Sequence, residues 1–181
     1  MSQPPPNFQY SLDFFRLGLY TGLVDKASLL AWADAQLMNN QYMEQQVELV
    51  ELSLAQPYSE KEVTALITTF IGSASTLTGS RLLLNALYQQ QDLQHTIGQL
   101  KEVLYLLQLY PEEEEELEEM YYNFDFDSHF YPMPIAYRVA AQQKALQFLA
   151  CYQDYQLANL EQLPILETQL AIRLKTYFQA S

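Results

Sequence analysis

Apolar residues return every three or four positions through most of this chain, the spacing that lines side chains up on one face of an α-helix. Leu12, Phe15 and Leu19 mark a first helix over Ser11–Thr21, and Gly22 follows where a left-handed turn can close it without a Cβ clash. Asp25 then offers an oxygen to the free N–H groups of a second helix, whose stripe is Leu29, Leu30, Ala33 and Leu37 with Trp32 at its flank. A third helix over Met43–Ala55 takes Val47, Val50 and Leu54 as its stripe, widened by Leu49 and Leu52, and Pro57 stops it.

Ser59-Glu60-Lys61-Glu62 is a capping box, in which serine and glutamate each satisfy the other's backbone N–H. The helix it opens carries Val63, Leu66, Ile67, Phe70 and Ile71 and ends near Gly72. Residues 73–80 read as a small-residue connection, and Arg81, at the head of a helix running to about Gln90, reads as a surface or interface charge. Asp92 caps a further helix to Leu109 with the stripe Leu93, Ile97, Leu100, Leu104 and Leu107, leaving His95 off the stripe. Pro111 opens a helix whose first turn is all glutamate, which suits the positive end of the helix dipole.

Tyr121–Pro134 is rich in Tyr and Phe and carries Pro132 and Pro134, which predicts an extended loop with side chains alternating between two faces. In that geometry Asp125, Asp127 and His129 share one face. Pro134 fits the first position of a long helix to about Ala158, with Ile135, Val139, Leu146, Leu149 and Tyr152 inward. Pro164 opens the last helix, with Leu166, Leu170, Leu174 and Phe178 inward. The pattern predicts an all-α fold of about eight or nine helices, as an antiparallel bundle or as stacked helix pairs. Residues 1–9 read as a loose, proline-bearing lead, and 10–181 as one helical domain.

Gly18-Leu19 and Gly22-Leu23-Val24, then Trp32-Ala33-Asp34, then Leu52-Ser53-Leu54 form a G-L-V … W-A-D … L-S-L pattern over roughly the first third of the chain. In this pattern the chain resembles a group of small, essentially uncharacterised bacterial helical proteins, similar in turn to immunity proteins that neutralise partner toxins. The resemblance implies a helical fold and a toxin-binding role. It does not extend beyond Tyr110, so the acidic and aromatic segments that follow have to be read from their residues.

Composition narrows the function. Hydrophobic residues make up 49% and charged residues 17% of the 181, the balance of a packed globule. The net charge of −13 opposes binding to phosphate backbones or to anionic lipid, both of which need Lys and Arg. Cys151 stands alone and requires no oxidising compartment, and the proline-bearing start lacks the form of a signal peptide, so a cytoplasmic setting is expected. No run approaches the length of a membrane-spanning helix.

The candidate chemistry is sparse. Asp34 beside Trp32 invites a general-acid role, but helical positions two apart do not face each other. Gly72–Ser80 has the glycines and hydroxyls of a phosphate-binding loop without its spacing or lysine. Between Lys101 and Arg138 there is no Lys or Arg, while Glu102, Glu112–Glu116, Glu118, Glu119, Asp125 and Asp127 concentrate the negative charge. The leading expectation is therefore a non-enzymatic, cofactor-free protein that contacts a basic partner, such as a toxin, through Glu113, Glu116, Glu119, Tyr122, Asp125, Asp127 and Tyr131. Two alternatives stand beside it. One is a metal-dependent hydrolase built on Asp125-x-Asp127-x-His129, whose ligands suit a hard divalent ion. The other is a structural homo-oligomer joined through Tyr-rich helix faces.

Overall fold

The computed structural model describes residues 5–90, 106–125 and 135–180, and among these the chain is all-α. Eight helices follow in order: α1 (Pro6–Thr21), α2 (Lys26–Asn39), α3 (Gln46–Ser53), α4 (Glu60–Ile71), α5 (Leu77–Tyr88), α6 (Pro111–Asp125), α7 (Ile135–Ala150) and α8 (Leu163–Ala180). Short 3₁₀ turns, Met43–Gln45 and Leu157–Gln162, lead into α3 and α8.

Helix α1 is the shared wall between two hydrophobic cores. Phe8, Leu12, Phe15 and Leu19 face one core with Leu29, Leu30 and Ala33 of α2, Leu49 and Leu52 of α3, and Val63 and Ile67 of α4. Leu17 faces the other, built from Leu82, Leu83 and Leu87 of α5, Leu117 and Met120 of α6, Phe148 and Leu149 of α7, and Leu166 and Leu170 of α8. A helix buried on two sides has little room for a polar face, so its polar residues have to find partners inside.

Helix α1 begins earlier than the apolar spacing indicated. Pro6 stands in its first turn, where a missing N–H costs nothing, and Phe8 is fully buried. Phe8 packs 5.2 Å from the Tyr42 ring and 6.1 Å from Trp32, so the lead is anchored from Pro6 onward rather than loose through residue 9. At the other end Gly22 takes the left-handed conformation (φ 70°), and the Val24 N–H returns to the Gly18 carbonyl at 3.1 Å. A Cβ on Gly18 would lie 2.4 Å from Val24 Cγ2, so the tight return needs glycine there as well. Asp25 caps α2 by accepting the Ser28 N–H at 2.8 Å.

Five further readings of the pattern are corrected. In α3 the buried residues are Leu49 and Leu52, while Val47, Val50 and Leu54 are exposed. Helix α5 starts at Leu77, capped by Thr76, so the latter part of the supposed connection is helical. Tyr121–Asp125 continues α6 as helix instead of entering an extended loop. In α7 and its exit Ala145, Phe148, Leu149 and Tyr152 are buried while Val139 and Leu146 are exposed, and the helix ends at Ala150. In α8 Tyr177 takes the inward place expected for Phe178. The helix predicted over 93–109 does not reach its expected end, since residues 107–109 are not helical; its residues 93–105, with His95, and the Pro134 helix start lie outside the described residues.

Candidate functional site

The glutamate run at the head of α6 divides by helical period. Glu113, Glu116, Leu117 and Met120 lie on the inward face and are buried. Glu112, Glu114, Glu115, Glu118 and Glu119 lie outward and are exposed. A single run of like residues is thus divided between the interior and the surface.

Inward, Glu113 organises a closed polar centre. As the third residue of α6 it reaches back to accept the Tyr110 N–H at 2.9 Å, the reach-back half of a capping box. It also accepts the Tyr152 hydroxyl at 2.7 Å and three contacts from Arg81, through Nε at 3.3 Å and Nη2 at 3.2 and 3.3 Å. Arg81 Nη1 goes on to Glu167 of α8 at 2.5 Å, and its guanidinium lies over the rings of Tyr110 and Tyr155. Arg81 is therefore not a surface charge: it is 2% exposed and ties α5, α6 and α8 together.

The electrostatics follow from that enclosure. Burial alone would lower the Arg81 pKa, but the Glu113 and Glu167 charges outweigh it and hold the guanidinium above its ordinary value. Burial, reinforced by the Glu113 charge, pushes the Tyr152 phenol well above its usual range. One turn along α6, Glu116 accepts the Tyr177 hydroxyl at 2.7 Å and pairs with Lys144 of α7 at 3.1 Å. Lys144 also reaches the outward Glu119 at 2.9 Å.

A second buried network fills the Gly72–Ser80 segment, whose glycines and hydroxyls resemble those of a phosphate-binding loop. Asp13 of α1 accepts the Thr76 N–H at 2.6 Å and the Thr76 hydroxyl at 2.9 Å, at the N-terminus of α5. Arg16 neutralises it at 2.6 Å and reaches the Gly72 carbonyl at 2.8 Å. The positive end of α5 is thus met by a carboxylate of the chain itself. Burial pushes the Asp13 carboxyl above the usual range, against the pull of the Thr76 N–H and the Arg16 charge.

The sequence-predicted contact residues therefore separate. Glu113 and Glu116 are interior, because the helical period turns them toward Arg81 and Tyr177. They cannot form an outer contact while those bonds stand. The Glu119 side chain is 54% exposed and Tyr122 61% exposed, on the outward part of α6 that Asp125 ends. Asp127, Tyr131 and His129 lie outside the described residues. Among the described residues no group of three or more His, Cys, Asp or Glu is placed to hold a metal ion. Asp34 is exposed and accepts the Ser53 hydroxyl, which ties α2 to α3.

Sequence reasoning placed Arg81 at the surface or an interface and passed over Asp13 and Glu167. The available signal was an arginine directly preceding Leu82-Leu83-Leu84 and an Asp-x-x-Arg pair within the apolar α1. Among the described residues no helix is long and apolar enough to cross a membrane. Comparison of the chain with family models, curated proteins and solved structures finds no match.

Proposed function

We propose that the chain is a non-enzymatic, cytoplasmic binding protein of the immunity type, which meets a basic protein partner through the outward face of α6. The observation that carries this reading is the division of the glutamate run. With Glu113 and Glu116 committed inward, Glu112, Glu114, Glu115, Glu118 and Glu119 still form an exposed acidic face. Arg16, Arg81 and Arg173 are each paired with a carboxylate of the chain, so these cations are engaged within the fold. A field of that sign draws in a basic partner and raises its association rate, and the exposed rings of Tyr110 and Tyr122 at either end of the face supply apolar anchors. The resemblance to toxin-immunity proteins supports the same class of partner.

The test is inhibition of a panel of basic nucleases by the purified protein. The reading expects stoichiometric inhibition of a member of the panel, relieved by salt and by Glu112→Gln, Glu115→Gln and Glu118→Gln together. Inhibition that the triple variant leaves intact would overturn the assignment of the face. Saturable thermal stabilisation by a divalent ion would favour the hydrolase alternative instead, and a concentration-dependent mass in light scattering would favour the homo-oligomer.

A further inference from the structure

Helix α3 turns its most regular apolar stripe outward. Met43, Val47, Val50 and Leu54 follow one another at four, three and four residues, which places them on one side of the helix and the turn before it. They are 70%, 69%, 44% and 69% exposed. Gln45, Leu49 and Leu52 fill the inward side, so the outward stripe is not needed to hold α3 on the core. Four neighbouring exposed apolar side chains of this kind mark an interaction surface.

The charges around the stripe decide what it accepts. Glu44, Glu48 and Glu51 repeat at four and three residues and line one flank. The other flank carries Gln46 and Ser53, and the Ser53 hydroxyl holds the exposed Asp34 carboxylate of α2 beside it. From Lys26 to Lys61 no other Lys or Arg occurs, and the Lys26 ammonium is engaged by the Gln56 and Tyr58 carbonyls at 2.8 and 2.7 Å. A second copy of this chain would bring an acidic rim against an acidic rim, and anionic lipid would meet the same repulsion. A helix whose apolar stripe is bordered by Lys or Arg satisfies both the apolar surface and the carboxylates.

We infer that the outer face of α3 is a docking site for a basic amphipathic helix of another protein, with Met43, Val47, Val50 and Leu54 receiving its apolar stripe and Asp34, Glu44, Glu48 and Glu51 pairing its flanking cations. This surface is separate from the acidic face of α6, and the inference stands or falls independently of it.

The experiment uses two synthetic amphipathic helical peptides with the same leucine stripe, one bordered by lysine and the other by glutamate. Binding to the full chain is read by fluorescence anisotropy, and thermal unfolding confirms that each variant is folded. The lysine peptide is expected to bind. Val47→Ser with Leu54→Ser should weaken it by about tenfold or more, while the α6 triple variant leaves its binding to α3 in place. Equal affinity for the Val47→Ser, Leu54→Ser variant, equal binding of the glutamate peptide, or no binding of either peptide would overturn the inference. So would a dimer of the protein that the double variant abolishes, because it would make the occupant a second copy.

Discussion

A Cβ on Gly79 would lie 2.3 Å from Oδ2 of Asp13 and 2.8 Å from its Cγ. Gly79 is therefore what lets an α1 carboxylate sit against the first turn of α5. In an ordinary helix Gly→Ala stabilises by about 1 kcal/mol. Here the sign reverses, because the methyl group displaces a buried carboxylate from the Thr76 N–H. Gly79→Ala is expected to lower stability by about 1–3 kcal/mol, measured by urea unfolding.

The two faces of the glutamate run differ in energetic role. Glu113→Ala leaves Arg81 and the Tyr152 hydroxyl without their shared acceptor in the interior. A loss of about 3–5 kcal/mol is expected, the usual result of breaking a buried ion pair from one side. Glu118→Ala, from the exposed face, should change stability by less than about 0.5 kcal/mol. Equal losses from the two would contradict the division of the run.

High pH provides a separate test of the same centre. The Tyr152 and Tyr155 phenols are held above their ordinary pKa chiefly by burial, and Lys144 is held above its own by the hydrogen bonds it donates to Glu119 and Glu116, which outweigh its desolvation. Above about pH 10 the unfolded chain gives up these protons while the folded chain keeps them. The folded state then binds more protons, so stability must fall as pH rises through this range. Tyr152→Phe should reduce the steepness of that fall, as read from denaturant midpoints across alkaline pH. A slope unchanged by the substitution would show that Tyr152 does not titrate as described.

Helix α3 tests which side faces the core. Leu49→Ala or Leu52→Ala should cost about 2–5 kcal/mol, because each side chain is fully enclosed. Leu54→Ala, with the side chain largely in water, should fall within about 0.5 kcal/mol of the parent. Chemical denaturation of the three variants checks the order.

Much of the helical layout was legible because caps and period act locally. Ser59 with Glu62, Asp25 and Gly22 each declare a helix end through a bond or a backbone angle that a few residues determine. The choice of face in α3 was not local. Val47, Val50 and Leu54 match the helical period as well as Leu49 and Leu52 do, and the α1 and α2 surfaces decide which set is covered. Arg81 illustrates the same limit, since its partners Glu113 and Glu167 lie far along the chain and nothing beside it announces them. The glutamate run shows it too. Residue type gave the sign of the charge, but only the placement of α5, α7 and α8 makes Glu113 and Glu116 internal and leaves their neighbours outside.

The central claim is that the outward carboxylates of α6 steer a basic partner, and it is tested most directly by association rates. A basic nuclease captured by the protein would be measured against the parent, Glu113→Gln, and the combined Glu112→Gln, Glu115→Gln and Glu118→Gln variant, at low and at physiological salt. The account predicts that the outward triple variant slows association by about tenfold at low salt and much less at physiological salt, while Glu113→Gln lowers stability and leaves the rate near that of the parent. An association rate unchanged by the outward triple variant at low salt would contradict it.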